Sequence, residues 1–398
     1  MEQFLNKEIF FIAAKRTPFG TFGGTLKSFS AIDLGVIASK AAINQLPINL
    51  KNSIDHVIFG NVMQTSKDAI YLARHIGLKS NIHQNTPALT INRLCGSGFE
   101  AIICGARQLL LNESKCVLVG GTESMSQSPH IIRGARWGLN LAKCNLEDSL
   151  WTSLTDSYIN LSMAITVEML AEQYKITQNE VDLFSLNSQH KFSLAQKKGL
   201  FDNEIIPINM IKNKKHITFK LDEHPRPKTT LKELKKLPKV FKKNGLIHAG
   251  AASGICDGAA ALIICSNNFI KNTNIKPIGK LISFGISGCN PSKMGIGPVS
   301  AIKIALKKAK MILDDIDLIE INEAFAPQIL AVKKELKIPE AKLNINGGAI
   351  AIGHPLAASG ARIITHLLYS LKNKSKQLGL GAACIGGGQG ISLIIESC

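Results

Sequence analysis

The chain has 398 residues, room for two or three domains, and 45% hydrophobic against 19% charged residues excludes a disordered chain. The 33 glycines and 14 prolines exclude collagen-like and low-complexity classes, and no run of about 18 apolar residues predicts a membrane-spanning helix. Lys plus Arg number 47 against 29 acids, a formal charge of +18.

From the start, MEQFLNKEIFFIAAKRTPFG has neither a basic n-region nor a small-residue cleavage site, and it is not rich in Arg and Ser. Neither a secretory signal nor a transit peptide is expected, and the sequence reads as a mature soluble protein. Short apolar runs follow at 10–14 (FFIAA), 56–62 (HVIFGNV), 116–121 (CVLVGG) and 318–322 (LIEIN). Helical patterns lie between them, as at 101–111 and 361–371. This alternation predicts an α/β fold with buried strands.

Internal echoes predict a duplication. A strand ending in Asn occurs at 54–61 and again at 316–322, with Asn61 and Asn322 offset by 261 residues. In each half a glycine-bearing turn then opens a helix, CGSGFEAII from Cys95 and GHPLAASGARII from Gly353. The closing strands, LIICS at 262–266 and LIIES at 393–397, are offset by only 131. The 130-residue difference predicts an insertion in the first half. The expected units are 1–125 plus 251–272 as the first half, 126–250 as the insertion, and 273–398 as the second half.

The insertion carries half of the excess charge. Between Met210 and Gly245 stand twelve basic residues and three acids. Nucleic acid is one reading of such a stretch, but Phe219 and Phe241 make no stacking series. A solvated lysine-rich face or a surface for a small polyanion are the others.

Nine cysteines, an odd number with no CxxC and no paired Cys/His spacing, predict neither a disulfide framework nor a metal site. Seven read as buried, reduced thiols. Cys95 and Cys384 read differently. Cys95 lies in NRLCGSGFEAI, between an extended segment and a helix, with Gly96 and Gly98 permitting a tight turn. A thiol at a helix N-terminus meets unpaired N–H groups and the positive end of the dipole, which favours thiolate. His354 lies on the glycine-rich turn GGAIAIGHPLAASGAR, where Gly347, Gly348 and Gly353 predict close backbone approach. Cys384 precedes Gly386, Gly387 and Gly388, whose backbone N–H groups could meet a developing oxyanion. Phosphate binding by that run is the competing reading, weakened because a strand follows it. Asn322, at a strand end in INEAFAP, could orient a water or a carbonyl.

With these motifs in order the chain resembles the thiolases, and among them the mitochondrial-type 3-ketoacyl-CoA thiolases of fatty-acid β-oxidation. The resemblance runs from AAKRTPFGTFGG to ACIGGGQG and includes DAIYLARHIGL, GGTESMSQSP, LEDSLWTSLTD, DEHPRPKTTL and MGIGPV. It implies two similar halves in a five-layer α-β-α-β-α arrangement, with a coenzyme-A-binding loop domain inserted in the first. It implies that Cys95 is the nucleophile that carries the acyl group, that His354 activates it by holding its proton, and that Cys384 is the acid/base toward the acetyl carbon. One oxyanion hole would be His354 with a water held by Asn322; the other would be the backbone N–H groups of Cys95 and Gly386. Arg226, Thr229 and Ser253 would contact coenzyme A. Ala251, Ala164, Val167 and Ser162 depart from residues common among relatives, which bears on coenzyme A affinity and chain length.

The implied activity is thiolytic cleavage of 3-oxoacyl-CoA to acetyl-CoA and a shortened acyl-CoA, with acetoacetyl-CoA synthesis as the alternative. A ketosynthase relative would want a second His where Cys384 stands, and a non-catalytic acyl-CoA binder would have lost Cys95, His354 or Cys384. No tightly bound cofactor, no metal, no nucleic acid and no membrane insertion are expected. Coenzyme A, acetyl-CoA and acyl-CoA are the expected ligands, further copies of the chain the expected partners, and the mitochondrial matrix the expected compartment (the cytoplasm for a bacterial source).

Overall fold

In the computed structural model, all residues except 1–7, 142, 143 and 213 are described. Nine strands form the path of the main sheet: β1 Ile9–Arg16, β2 His56–Gly60, β3 Ala88–Ile91, β4 Cys116–Ser124, β5 Cys256–Ser266, β6 Gly279–Gly288, β7 Leu318–Ile321, β8 Leu378–Ile385 and β9 Gln389–Ser397. The short strand Gly20–Thr21 adds to β5. Their order is β7-β8-β9-β6-β1-β5-β4-β2-β3.

Two runs repeat one pattern. β1, β5 and β4 pair antiparallel and β4 is parallel to β2; β6, β9 and β8 pair antiparallel and β8 is parallel to β7. The runs meet where β1 and β6 share three residue pairs, Ile9–Leu281, Phe10–Lys280 and Phe11–Gly279. The duplication read from the sequence thus has a counterpart in strand order and sense.

Helices cover both faces of each run, so strands such as β4, buried along its whole length, are apolar without interruption. Their two faces still serve different layers, as the pleat requires. Val117 and Val119 join the core shared with α3 (Ser97–Leu111) and α8 (Ala358–Lys374), while Cys116 and Leu118 face α1 (Ala31–Ile43) and α2 (Leu72–Lys79). Beyond the second run, Leu380, Ala382 and Ile394 pack on α6 (Gly297–Ala309) and α7 (Ala326–Leu336). The five layers are therefore α1/α2, the first run, α3/α8, the second run, and α6/α7. One window, Leu94–Leu111, is long and apolar enough to cross a membrane by composition. Its place as the central-layer helix α3 accounts for that apolarity by burial.

The central helices approach at glycines. A Cβ on Gly98 would lie 2.5 Å from the Ala361 nitrogen and 2.7 Å from the Ala357 oxygen, and one on Gly360 would lie 2.4 Å from the Phe99 nitrogen. This corrects the reading of Gly98 as a turn residue; Gly96 does lie in the turn, its nitrogen donating to the Arg93 oxygen at 2.9 Å, but at a φ open to any residue. Gly96 has φ −88° and Gly98 is helical; both are small because neighbouring chain fills the space.

Between Ser124 and Cys256 no strand joins the main sheet among the described residues, although Ile205 makes an isolated parallel bridge to Arg16 at the end of β1. The intervening segment forms small hairpins, including Ile208–Lys212 with Lys215–Phe219, and two longer helices, Met163–Gln173 and Gln178–Lys197. It is tied to the body by Arg16, fully buried, whose guanidinium donates to Glu204 at 2.7 Å and to both oxygens of Asp222 at 2.7 and 2.9 Å. Of the seven cysteines expected to be buried, Cys116, Cys256 and Cys265 are; Cys104 and Cys289 are half-buried, and Cys144 and Cys398 are exposed. Sequence context marks an apolar neighbourhood, but a residue's depth depends on what packs over it.

Candidate active site

Cys95 sits where β3 gives way to α3. Leu94 takes φ +46°, the left-handed region that costs a non-glycine residue roughly 1 kcal/mol or more. The turn is held by its own polar groups: Ser97 Oγ donates to the Leu94 oxygen at 2.7 Å and accepts from the Arg93 nitrogen at 2.9 Å, and Asn92 Oδ1 accepts from the Leu94 nitrogen at 2.8 Å. The Cys95 sulfur accepts from the backbone N–H groups of Gly386 and of Cys95 itself. The expectation of a thiolate at rest needs correction, because burial outweighs these donors and pushes the thiol up to about 11.

His354 follows Gly353, which has no place for a side chain: its φ is +94°, and a Cβ there would lie 2.5 Å from the Cys256 sulfur. The His354 nitrogen donates to the Gly254 oxygen at 2.8 Å, joining the turn to the 251–254 segment. Nδ1 meets Ser359 Oγ, which lies 3.1 Å from the Pro355 oxygen. One orientation satisfies the set: Nδ1–H donates to Ser359, Ser359 donates to Pro355, and Nε2 keeps its lone pair. Nε2 accepts from Asn322 Nδ2 at 3.3 Å. Burial, with the Arg362 guanidinium beside it, pulls the imidazole down to about 3. This corrects the reading of His354 as already holding the thiol proton: at neutral pH the ring is an unprotonated base.

Cys384 is the penultimate residue of β8 and is 2% exposed. Burial, then the neighbouring Cys95 and Cys289 sulfurs, push its thiol far above the ordinary range. The glycines after it form the β8–β9 turn, with Gly387 and Gly388 at φ +76° and +81°, so their freedom is used. Asn322 is fully buried; its backbone N–H donates to the Ala382 oxygen at 2.9 Å, and its Oδ1 has no partner among the described residues.

Cys95, His354 and Cys384 line one cavity of about 370 Å³ with Gly386 and Ser253. Arg226 and Thr229 are not among its lining residues. They share a turn in which Thr229 Oγ1 donates to the Arg226 oxygen at 2.8 Å, while the Arg226 nitrogen donates to Gln189 at 2.8 Å. Ser162 and Ala164 do line the cavity, whereas Ala251 and Val167 are buried behind it. Ser162 also caps its helix, its hydroxyl accepting from the Ile165 nitrogen.

The sequence reading missed the apolar wall. Met125, Met163, Met294 and Leu356 join an aromatic row in which Trp151 stacks on Phe241 and Phe241 meets Phe325 edge-on. Phe241 was visible in the basic stretch, but its aromatic partners lie 90 and 84 residues away. Ser359 was also missed, though its place five residues after His354 on an opening helix could have signalled it. Among the described residues, no group of three or more His, Cys, Asp or Glu is placed to hold a metal ion.

A layered duplicated fold with two thiols and an imidazole converging from both halves defines a thiolase. Residues 9–268 match the thiolase N-terminal domain and residues 275–397 the thiolase C-terminal domain, and the chain belongs to this family. It is 52% identical over 394 residues, 99% of each chain, to the mitochondrial 3-ketoacyl-CoA thiolase of Homo sapiens. A probable acetyl-CoA acyltransferase of Staphylococcus epidermidis is 43% identical over 385 residues, 96% of this chain and 97% of the relative. Among solved structures, human mitochondrial 3-ketoacyl-CoA thiolase in complex with CoA matches with TM-score 0.95 and 51% identity over 98% of both chains. The acetyl-CoA acetyltransferase of Bacillus anthracis matches with TM-score 0.95 and 38% identity over 98% of this chain and 99% of that one.

Proposed function

We propose that the protein is a 3-ketoacyl-CoA thiolase, an acyltransferase that cleaves 3-oxoacyl-CoA with coenzyme A in fatty-acid β-oxidation. The observation that carries the reading is the convergence of Cys95, His354 and Cys384 on one apolar cavity.

Their resting protonation states suit the reaction. His354 Nε2 takes the Cys95 proton as the sulfur attacks the C3 carbonyl. The C2–C3 bond breaks, and the carbanion on the acetyl-CoA side takes its proton from the Cys384 thiol. The shortened acyl group is left as a thioester on Cys95. Incoming coenzyme A gives its thiol proton to the Cys384 thiolate and attacks that thioester. Cys95 leaves and recovers its proton from His354, so both thiols and the imidazole end as they began.

The N–H groups of Cys95 and Gly386 stabilise one oxyanion, and His354 with an Asn322-held water stabilises the other; each such donor typically lowers an acyl-transfer barrier by about 3 kcal/mol. The unpartnered Asn322 Oδ1 supports the water's place. Ser253, on the cavity wall, contacts the coenzyme A arm, and Arg226 and Thr229 contact the nucleotide end beyond it, where the basic stretch attracts the polyanion.

Segments 1–125 with 251–272, 126–250, and 273–398 are the first half, the coenzyme-A-binding insertion and the second half. The return to the sheet at Cys256 supports this division. The enzyme works as a homo-oligomer, a dimer or tetramer. Its compartment is the mitochondrial matrix, supported by the mitochondrial 3-ketoacyl-CoA thiolases among its relatives.

Thiolysis by the purified protein across a series of 3-oxoacyl-CoA chain lengths tests the reading, with the Cys95 peptide analysed for an acyl adduct. Turnover over several lengths with an adduct on Cys95 is expected; no adduct refutes it. A second reading, acetyl-CoA C-acetyltransferase making acetoacetyl-CoA, is favoured by the likeness to the Bacillus anthracis enzyme. Turnover confined to the four-carbon substrate would select it.

A further inference from the structure

The turn that carries His354 is gripped on both sides by buried carboxylates. On one side, Glu323 accepts from the Ile350 nitrogen at 3.1 Å, from Ser188 Oγ at 2.7 Å and from Asn344 Nδ2 at 2.8 Å. On the other stands Glu123, fully buried at the end of β4. Its Oε2 accepts from the Ala357 nitrogen at 3.1 Å and the Val62 nitrogen at 3.2 Å; its Oε1 accepts from the Met63 nitrogen at 3.0 Å and Asn61 Nδ2 at 2.9 Å. Four N–H donors thus converge on one carboxylate, and none is a cationic side chain.

Burying a carboxylate without a counter-ion is costly, and the donors only partly offset that cost, so the carboxyl is pushed up to about 7. The arrangement is an anchor between halves. Val62 and Met63 follow β2 in the first half, while Ala357 begins the turn into α8 in the second. An apolar residue here would leave three backbone N–H groups buried and unpaired.

We propose that Glu123 is a positioning residue for His354, holding the 354–357 turn against the end of β2 so that the imidazole stays at the cavity wall it shares with Cys95. The inference rests on the reading of His354 as the base that activates Cys95. Burial pushes the Glu123 carboxyl up to about 7 against the Met63, Ala357 and Val62 nitrogens, with Asp257 adding to the rise; once ionised, Glu123 adds a small further opposition to ionisation of the Cys95 thiol beyond burial. Glu123 therefore acts chiefly by placing the base; where ionised, it adds to the burial that keeps the nucleophile a thiol.

Glu123→Gln separates these effects. The amide offers one acceptor oxygen, so the NH2 group confronts N–H donors on one side, while the negative charge near Cys95 is removed. In the full-length protein, kcat is expected to fall by about a hundredfold, the scale of a roughly 1 Å misplacement, with KM for coenzyme A within about twofold. Alkylation of Cys95 by iodoacetamide above about pH 7, where the wild-type carboxyl is ionised, is expected to be faster than in the wild type at the same pH. A more reactive sulfur in a slower enzyme locates the defect in the base. Where the Gln variant does not fold, Glu123→Asp carries the test: it keeps the charge but is one methylene too short to reach both halves, so kcat falls with the alkylation rate unchanged. Wild-type kcat in the variant, or loss of kcat and alkylation together, overturns the proposal. The wild-type protein in the same assay keeps the two readings apart: no Cys95 adduct there refutes the thiolase mechanism, whereas a normal wild type with a normal variant refutes only the role of Glu123.

Discussion

A Cβ placed on Gly121 would stand 1.9 Å from the carbonyl oxygen of Ala357, so strand β4 and the turn below His354 meet with nothing between them. That contact joins the two halves within a few residues of the site. Gly121→Ala must push backbone rather than a flexible side chain. We expect a loss of about 3 kcal/mol, the upper part of the range for overpacking, together with slower acylation of Cys95. Chemical denaturation read alongside adduct mass checks it; an unchanged midpoint with normal acylation would show that the turn tolerates displacement.

Ser359 sets the histidine tautomer. Without its hydroxyl, Nδ1–H loses a buried acceptor and Nε2 no longer holds its lone pair by default. Ser359→Ala is expected to lower kcat by about tenfold to a hundredfold, as losing roughly 1 to 3 kcal/mol of buried hydrogen bonding implies. KM for coenzyme A should hardly move. Steady-state kinetics give the answer, and equal changes in both constants would argue against a role in proton handling.

The two thiols should separate by assay. Cys95→Ser is expected to abolish turnover and the acyl adduct. Cys384→Ala is expected to keep the adduct on Cys95 but to lose deuterium exchange into the methyl group of acetyl-CoA, since no other acid is assigned to that carbon. Exchange at the wild-type rate in Cys384→Ala would be incompatible with its role.

Arg16, Glu204 and His366 make a buried network that links β1, the inserted segment and α8, with His366 Nδ1 2.8 Å from Glu204. Burial acts to raise the Glu204 carboxyl, but His366 and then Arg16 hold it down to about 2 from its ordinary 4.5. A depressed carboxyl contributes stability that is present above about pH 4.5 and is lost as pH falls toward 2; the shift corresponds to about 3 kcal/mol. Burial acts to lower the His366 imidazole, yet Glu204 and Glu320 raise it from 6.5. A raised imidazole contributes stability that is present below about pH 6.5 and is lost as pH rises through the higher folded value. Melting temperature against pH should therefore fall on both sides of that window, and Glu204→Gln should flatten both falls. A variant profile parallel to that of the wild type would count against the linkage.

Much of this arrangement was legible in one dimension. Buried strands such as β4 and β5 must be apolar along their length, and helices such as α8 carry a stripe, so the α/β class was open to reading. The glycines around His354 marked a place where chain approaches chain. The offset between Asn61 and Asn322, set against that between the closing strands, exposed the duplication and its interruption. The partners of Glu123 could not be read, because three of its four contacts are backbone N–H groups, which every sequence contains.

Residue types and their order thus determined the fold class, the repeated halves and the three groups that converge on the cavity, since those follow from local pattern and motif. Tertiary structure alone decided their charge states. The dipole argument for a Cys95 thiolate considered one helix end, whereas burial by both halves leaves a neutral thiol and a neutral imidazole lining the same cavity. It also decided the cavity wall, where Trp151, Phe241 and Phe325 meet across long sequence separations. Solvent exclusion and side-chain contact are properties of the assembled layers, and no single segment of the chain contains them.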